Sequence, residues 1–245
     1  MAEQARRRRL LIIGSIVGLI AVVGIGAIIW FLTRSAPEEV SLESAVEDAQ
    51  TATTAGSSFE GIEGEWVVDT SVGEFSFEDA TSSFVGFRIK EELSTIGDTE
   101  AVGRTPTIDG RLSISGLAVT EVSIVADMTD IVTETSRRDA RVQSALSTSQ
   151  FAEATFTLTE SFDIPADLAD GDQFSVTANG DLTIAGVTNP IAVPLEAQVV
   201  GDLVVVVGSV DIVFADWDVS VPSAPIVLSV EDHGPLEMQL FFRRV

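Results

Sequence analysis

From Trp66 to the C-terminus, apolar and polar side chains alternate with a period of two. Leu112 and Ile114 are interleaved with Ser113 and Ser115, Phe156 and Leu158 with threonines, and Phe174 and Val176 with Ser175 and Thr177. The same beat returns at Val122/Ile124, Leu182/Ile184, Ile191/Val193/Leu195, Ile226/Leu228/Val230 and Leu236/Met238/Leu240/Phe242. It predicts antiparallel strands with one apolar and one wet face. Ile108-Asp-Gly110, Ala169-Asp-Gly-Asp172, Ala178-Asn-Gly-Asp181, Gly201-Asp202 and Asp232-His-Gly-Pro235 read as turns between them, with Asn179-Gly180 the strongest hairpin signal. Leu203 to Val207 is apolar throughout, which predicts a strand covered on both sides or an outward face used for contact. One stretch breaks the beat: Ser136 to Leu146 is rich in helix formers, with Val142 and Leu146 four apart, and predicts a short helix. Many strands, one helix and no βαβ rhythm favour an all-β antiparallel barrel of about eight strands, with a sandwich as runner-up.

Upstream the pattern changes. Arg6 to Arg9 precede the uncharged run Leu10–Leu32. As a helix those 23 residues span about 34 Å, against about 30 Å of hydrocarbon. The run exceeds a signal-peptide core, and Trp30 and Phe31 stand where cleavage needs small residues, so it reads as an uncleaved transmembrane anchor. The arginines place residues 1–9 in the cytoplasm and everything after Arg34 outside. Gly14-x-x-x-Gly18 would allow anchor helices to pair as a homodimer. Residues 33–61 are small, polar and acidic and read as a flexible stalk, within which Leu42, Val46 and Ala49 share one face of a marginal helix capped by Ser41. The barrel domain is assigned to 62–245.

Charge narrows the partners. Residues 1–34 hold five of the fourteen basic residues and one of the thirty-eight acidic ones, so the remainder is more acidic than the net −24 of the whole chain. Such a surface disfavours nucleic acid. The absence of cysteine removes disulfides, thiolate metal sites and thiol nucleophiles.

With the strands placed, the body resembles the YceI-like family from Trp66 to about Phe242. The resemblance rests on Trp66-x-x-Asp69, Ser83-x-Val85-x-Phe87-x-Ile89, Ala101-Val-Gly103 with Asp109-Gly-Arg-Leu112, Arg137-Arg-Asp-Ala140 leading to Phe151 and Phe156, and above all Gly180-Asp-Leu-Thr-Ile-Ala-Gly-Val-Thr-Asn-Pro190. It implies a lipocalin-like barrel that holds a polyisoprenoid or similar amphiphile outside the cytoplasm, without catalysis. Two positions depart from the family pattern: Glu91 stands where histidine is frequent, and Phe214-Ala-Asp-Trp217 replaces an arginine-led run.

The residues support a dry interior independently. An eight-stranded barrel either fills itself or leaves room for one small ligand. Leu112, Ile124, Phe156, Phe174, Ile184 and Leu228 are the lining candidates, with core packing as the alternative for each. Arg137 and Arg141, four apart on a helix, and Arg104 are candidates for a phosphate or carboxylate headgroup, with internal pairing to Glu134 and Asp139 as the alternative for the helix. Catalytic chemistry has little to work with. His233, the single histidine, sits in a turn sequence, Asp216 and Asp218 read as an acidic strand end, and no nucleotide or metalloprotease motif occurs. No cofactor, metal or catalytic residue is assigned, and a solid barrel serving as an interaction module through Leu203–Val207 is the competing function.

Overall fold

The computed structural model of the chain describes residues 36–52, 61–94, 97–166, 168, 171–222 and 227–245. The predicted basic segment 1–9 and anchor 10–32 lie outside them; among the described residues no helix is long and apolar enough to cross a membrane. Pro37–Val245 forms one compact unit.

Its strands are β1 (Gly64–Val68), β2 (Phe84–Leu93), β3 (Gly97–Thr105), β4 (Ile108–Ser115), β5 (Ala118–Asp127), β6 (Glu153–Leu158), β7 (Phe162–Asp163), β8 (Gln173–Ile184), β9 (Val187–Val200), β10 (Leu203–Val213), β11 (Val227–Val230) and β12 (His233–Arg244). Helices α1 (Leu42–Ala52) and α2 (Ser136–Ala145) accompany them. All named pairings are antiparallel, and β1-β4-β5-β6-β8-β9-β10-β12 follow one another round a ring. Trp66↔Arg244, Val67↔Arg243 and Val68↔Phe242 close β12 back onto β1, giving an eight-stranded barrel. β2 takes the remaining edge of β12, from Leu236↔Phe87 to Gln239↔Phe84, and carries β3 and β11 beyond it.

The apolar run Leu203–Val207 is explained by what covers its two faces. Val204 and Val206 join the interior cluster, whereas Leu203, Val205 and Val207 pack with Phe241, Val200 and Val72 under Leu42, Ala45, Val46 and Ala49 of α1. The first of the two expectations for this run therefore holds, and the contact surface of the interaction-module reading is occupied by the protein itself. The same packing corrects the flexible stalk: within 33–61, α1 is seated on the barrel wall. A helix this short is marginal alone and is held here by its buried face, with Ser41 Oγ capping it by accepting from the Ser44 N–H at 3.2 Å.

Two expected turns are strand interior, and a third, Asp232-His-Gly-Pro235, has its last three residues in β12. Asn179 and Gly180 lie within β8, paired with Ala192 and Ile191, and the chain reverses instead at Ala185 and Gly186, both at positive φ. Gly110 lies within β4, opposite Ile124.

Asp48 of α1 is pushed up to about 6 by burial and by the neighbouring charges of Asp79 and Glu47. As pH rises the unfolded carboxyl ionises first, near 3.8, so the stability contributed by protonated Asp48 is full below that value and is lost through about 6. Asp48→Asn should raise the melting temperature at pH 7 and leave it unchanged below about 3.8; thermal unfolding across that window, with equal gain at both ends, would contradict the assignment.

Candidate ligand-binding cavity

The alternation of each strand sends one set of side chains to the barrel axis, and many of these keep accessible surface. Val122, Phe156, Phe174, Val176, Leu195 and Met238 line the interior yet are only half-buried. Inward-facing apolar groups that are not fully covered border open space. That space is a cavity of about 240 Å³, lined almost wholly by aliphatic and aromatic side chains, with Thr155 and Glu237 the polar residues in its wall.

The two ends of the barrel differ. Near Trp66, the side chains of Ile62, Ile114, Val119, Ile164 and Phe242 are almost completely buried, and the indole N–H of Trp66 donates to the Ile62 carbonyl at 2.9 Å. At the opposite end Ile184, Ile212, Phe214 and Trp217 are buried, and Ile89, Leu182, Val219 and Leu236 pack half-buried against them. Across this end lies α2, which adds Val142, Ala145 and Leu146 to the lining although none of its residues is buried. Thr135 caps α2 by accepting from the Arg138 N–H. Arg138 then ties it to the barrel, pairing with Glu91 of β2 at 2.6 Å and with Glu134 at 3.1 Å. Burial raises the pKa of Glu134, against the pull of Arg138.

Of the lining candidates, Leu112, Ile124, Phe156, Phe174 and Ile184 border the cavity. Leu228 does not: it is 63% exposed. The register of β11 advances two residues, Val227 to Ser229, against one step of β2, Leu93 to Glu92, so Leu228 is the extra residue of a bulge on a strand outside the ring. Arg104 is also misplaced by the sequence reading. Gly103 pairs with inward-facing Phe87, so Arg104 points out of the barrel, where it is buried over the Phe84 ring at 4.5 Å. Arg137 and Arg141 are exposed on α2. The helix's internal pairing is made by Arg138, while Asp139 accepts from the Thr133 N–H and hydroxyl, both at 2.7 Å.

Sequence reasoning missed the outer-wall network around Arg104. Arg88, 2% exposed, donates to Glu237 at 2.7 Å and Glu100 at 2.8 Å, and both it and Arg104 donate to the Glu38 carbonyl. Burial opposes the Arg88 charge, but the Glu237 and Glu100 carboxylates outweigh it and hold its pKa above the ordinary value. Arg104 is lowered by burial and by the Arg88 charge, against the pull of Glu237. Charge at period-two spacing in β2 reads as solvated face, and only the segment around Glu38 crossing it turns that face into a buried one.

His233 is exposed beside Asp232, and Asp216 and Asp218 belong to a 3-10 turn and its left-handed cap, not to a strand. Among the described residues no group of three metal-ligating side chains forms.

The fold and cavity define an antiparallel barrel with a long apolar interior. The YceI-like domain matches residues 66–242, and the chain belongs to that family. It is 27% identical over 157 residues to a UPF0312 protein of Vibrio parahaemolyticus, covering 59% of this chain and 78% of that one. To a UPF0312 protein of Shewanella baltica it is 33% identical over 115 residues, covering 45% and 56%. A polyisoprenoid binding domain from Saccharophagus degradans implicated in plant cell wall breakdown superposes with a TM-score of 0.56 at 18% identity, covering 74% of this chain and 98% of that structure, which establishes the shared fold.

Arg88→Ala should cost about 3–5 kcal/mol, since it strands the Glu237 carboxylate in the wall, whereas Arg137→Ala and Arg141→Ala should stay within about 0.5 kcal/mol. Denaturant midpoints decide it, and an Arg88→Ala loss no larger than that of the α2 variants would contradict the network's role.

Proposed function

We propose that this protein binds and carries, without catalysis, a single apolar chain of the polyisoprenoid or lipid type in the barrel interior. The observation that carries the reading is the cavity itself: an apolar space whose polar wall residues are Thr155 and Glu237, with no histidine and no converging pair of titratable groups among the described residues. Each methylene moved from water into such a space contributes about 0.8 kcal/mol, so affinity grows with chain length and needs few polar contacts. The Saccharophagus neighbour, a polyisoprenoid binding domain by its description, supports the ligand class. In this reading the chain enters at the α2 end, whose covering helix buries none of its residues, and Arg137 and Arg141 on that helix meet a phosphate or carboxylate headgroup. Leu10–Leu32 anchors the protein with its N-terminus in the cytoplasm, and the barrel works outside; Gly14-x-x-x-Gly18 is where copies of the chain would pair.

The test uses the full chain extracted with an amphipathic copolymer, which introduces no competing detergent tail, followed by solvent extraction and mass spectrometry. A prenyl or long-chain amphiphile should be enriched over bulk membrane lipid, and Ala178→Trp, which plugs the bore from β8, should abolish the enrichment. Lipid profiles identical in the two proteins would sink the proposal. Topology is open to a separate test because the chain has no cysteine. Glu121→Cys should react with a membrane-impermeant maleimide in intact cells; reaction only after lysis would place the barrel on the inner side.

A further inference from the structure

Four large side chains that line the cavity each lie over a glycine of a neighbouring strand. Phe87 is paired with Gly103, Ile124 with Gly110 and Leu195 with Gly208, while Phe156 leans diagonally from its partner Leu182 onto Gly180. A β-carbon added at these glycines would fall 2.5 Å from Phe87 Cε1, 2.6 Å from Ile124 Cδ1, 2.6 Å from Leu195 Cδ2 and 2.5 Å from Phe156 Cε2, all inside the 3.0 Å that real β-carbons keep. Each large group therefore rests in the space a side chain would occupy and lies along the wall. Without the glycine it would have to swing toward the axis.

The tube so preserved is long and narrow. Its lining runs along β8 from Phe174 to Ile184, which at about 3.3 Å per residue and a strand tilt of about 40° is roughly 25 Å along the axis. A cavity of about 240 Å³ spread over that length is narrow for its reach and suits one extended chain. Gly in a strand interior weakens it and marks close approach of another group; its recurrence on four strands, each time beneath a large inward side chain, has the bore as its common consequence.

We propose that Gly103, Gly110, Gly180 and Gly208 gauge the bore, determining both the thinness and the reach of the chain the barrel accepts. This rests on the carriage reading and specifies its ligand as a linear or methyl-branched chain. The test uses the full chain in copolymer with all-trans prenyl alcohols of increasing length, each carrying a diazirine at the far end, photolysed and mapped by peptide mass spectrometry. In the wild type the longer probes should label the closed end, at Val204 and Phe242. Gly208→Ala, which drives Leu195 off the wall, should cut that labelling at least tenfold and shift it toward the α2 end, and Gly208→Ala/Leu195→Ala should restore it. Leu195→Ala alone keeps every glycine and the fold; it should increase closed-end labelling, so the test survives if Gly208→Ala does not fold. Unchanged labelling in either single variant overturns the gauge while leaving carriage intact. Absence of interior labelling in the wild type overturns carriage and the gauge together.

Discussion

Closure of the sheet is the constraint from which the rest follows. Once β12 pairs with β1, each ring strand has one face that can only look at the axis, and the side chains on that face are judged by whether they meet each other or stop short. Here they stop short: Phe156, Phe174 and Leu195 are inward and apolar, yet half-buried. A dry hollow of this kind is costly to leave empty, because the atoms along it lack dispersion partners on one side. An apolar chain supplies those partners, and the energetic argument for a ligand is the same as the argument for the cavity.

The wall is reinforced from outside by two different devices. Under α1 the reinforcement is apolar, Leu203, Val205 and Phe241 against Leu42, Val46 and Ala49. Beside it the reinforcement is ionic, with Arg88 and Arg104 gripping the Glu38 carbonyl and Glu237 accepting from the Val40 N–H. Both tie down the segment that precedes the barrel in sequence. At the α2 end the ties are polar, Arg138 to Glu91, Gln143 to the Thr129 carbonyl and Asp139 to Thr133, and α2 buries none of its residues.

Much of this was legible in the alternation of residues. Period two predicted the strands and the barrel, and five of the six lining candidates face the axis, because alternation fixes which face a side chain takes once a strand is known. What failed did so for identifiable reasons. Leu228 obeyed the alternation but sits at a bulge, which adds a residue without any mark in composition. Arg104 was placed at the mouth as a further cation for the headgroup beside Arg137 and Arg141, while its parity relative to Gly103 sends it outward. Asn179-Gly180 and Asp109-Gly110 carry turn chemistry yet lie in mid-strand; the inward parity of Gly110 with Leu112 and of Gly180 with Leu182 was the available signal. The stalk was misread although Leu42, Val46 and Ala49 marked one face of a helix, because the surface that face packs on lies some 150 positions downstream on β9 and β10.

The central claim is that the bore is empty of protein side chains and dry. Crystals of delipidated protein under xenon pressure test it most directly, since apolar cavities bind xenon where filled or hydrated ones do not. The account predicts xenon density on the axis between Phe156 and Leu195, bordered by Val122 and Met238. An axis occupied instead by collapsed side chains, or by a chain of ordered waters, would contradict it.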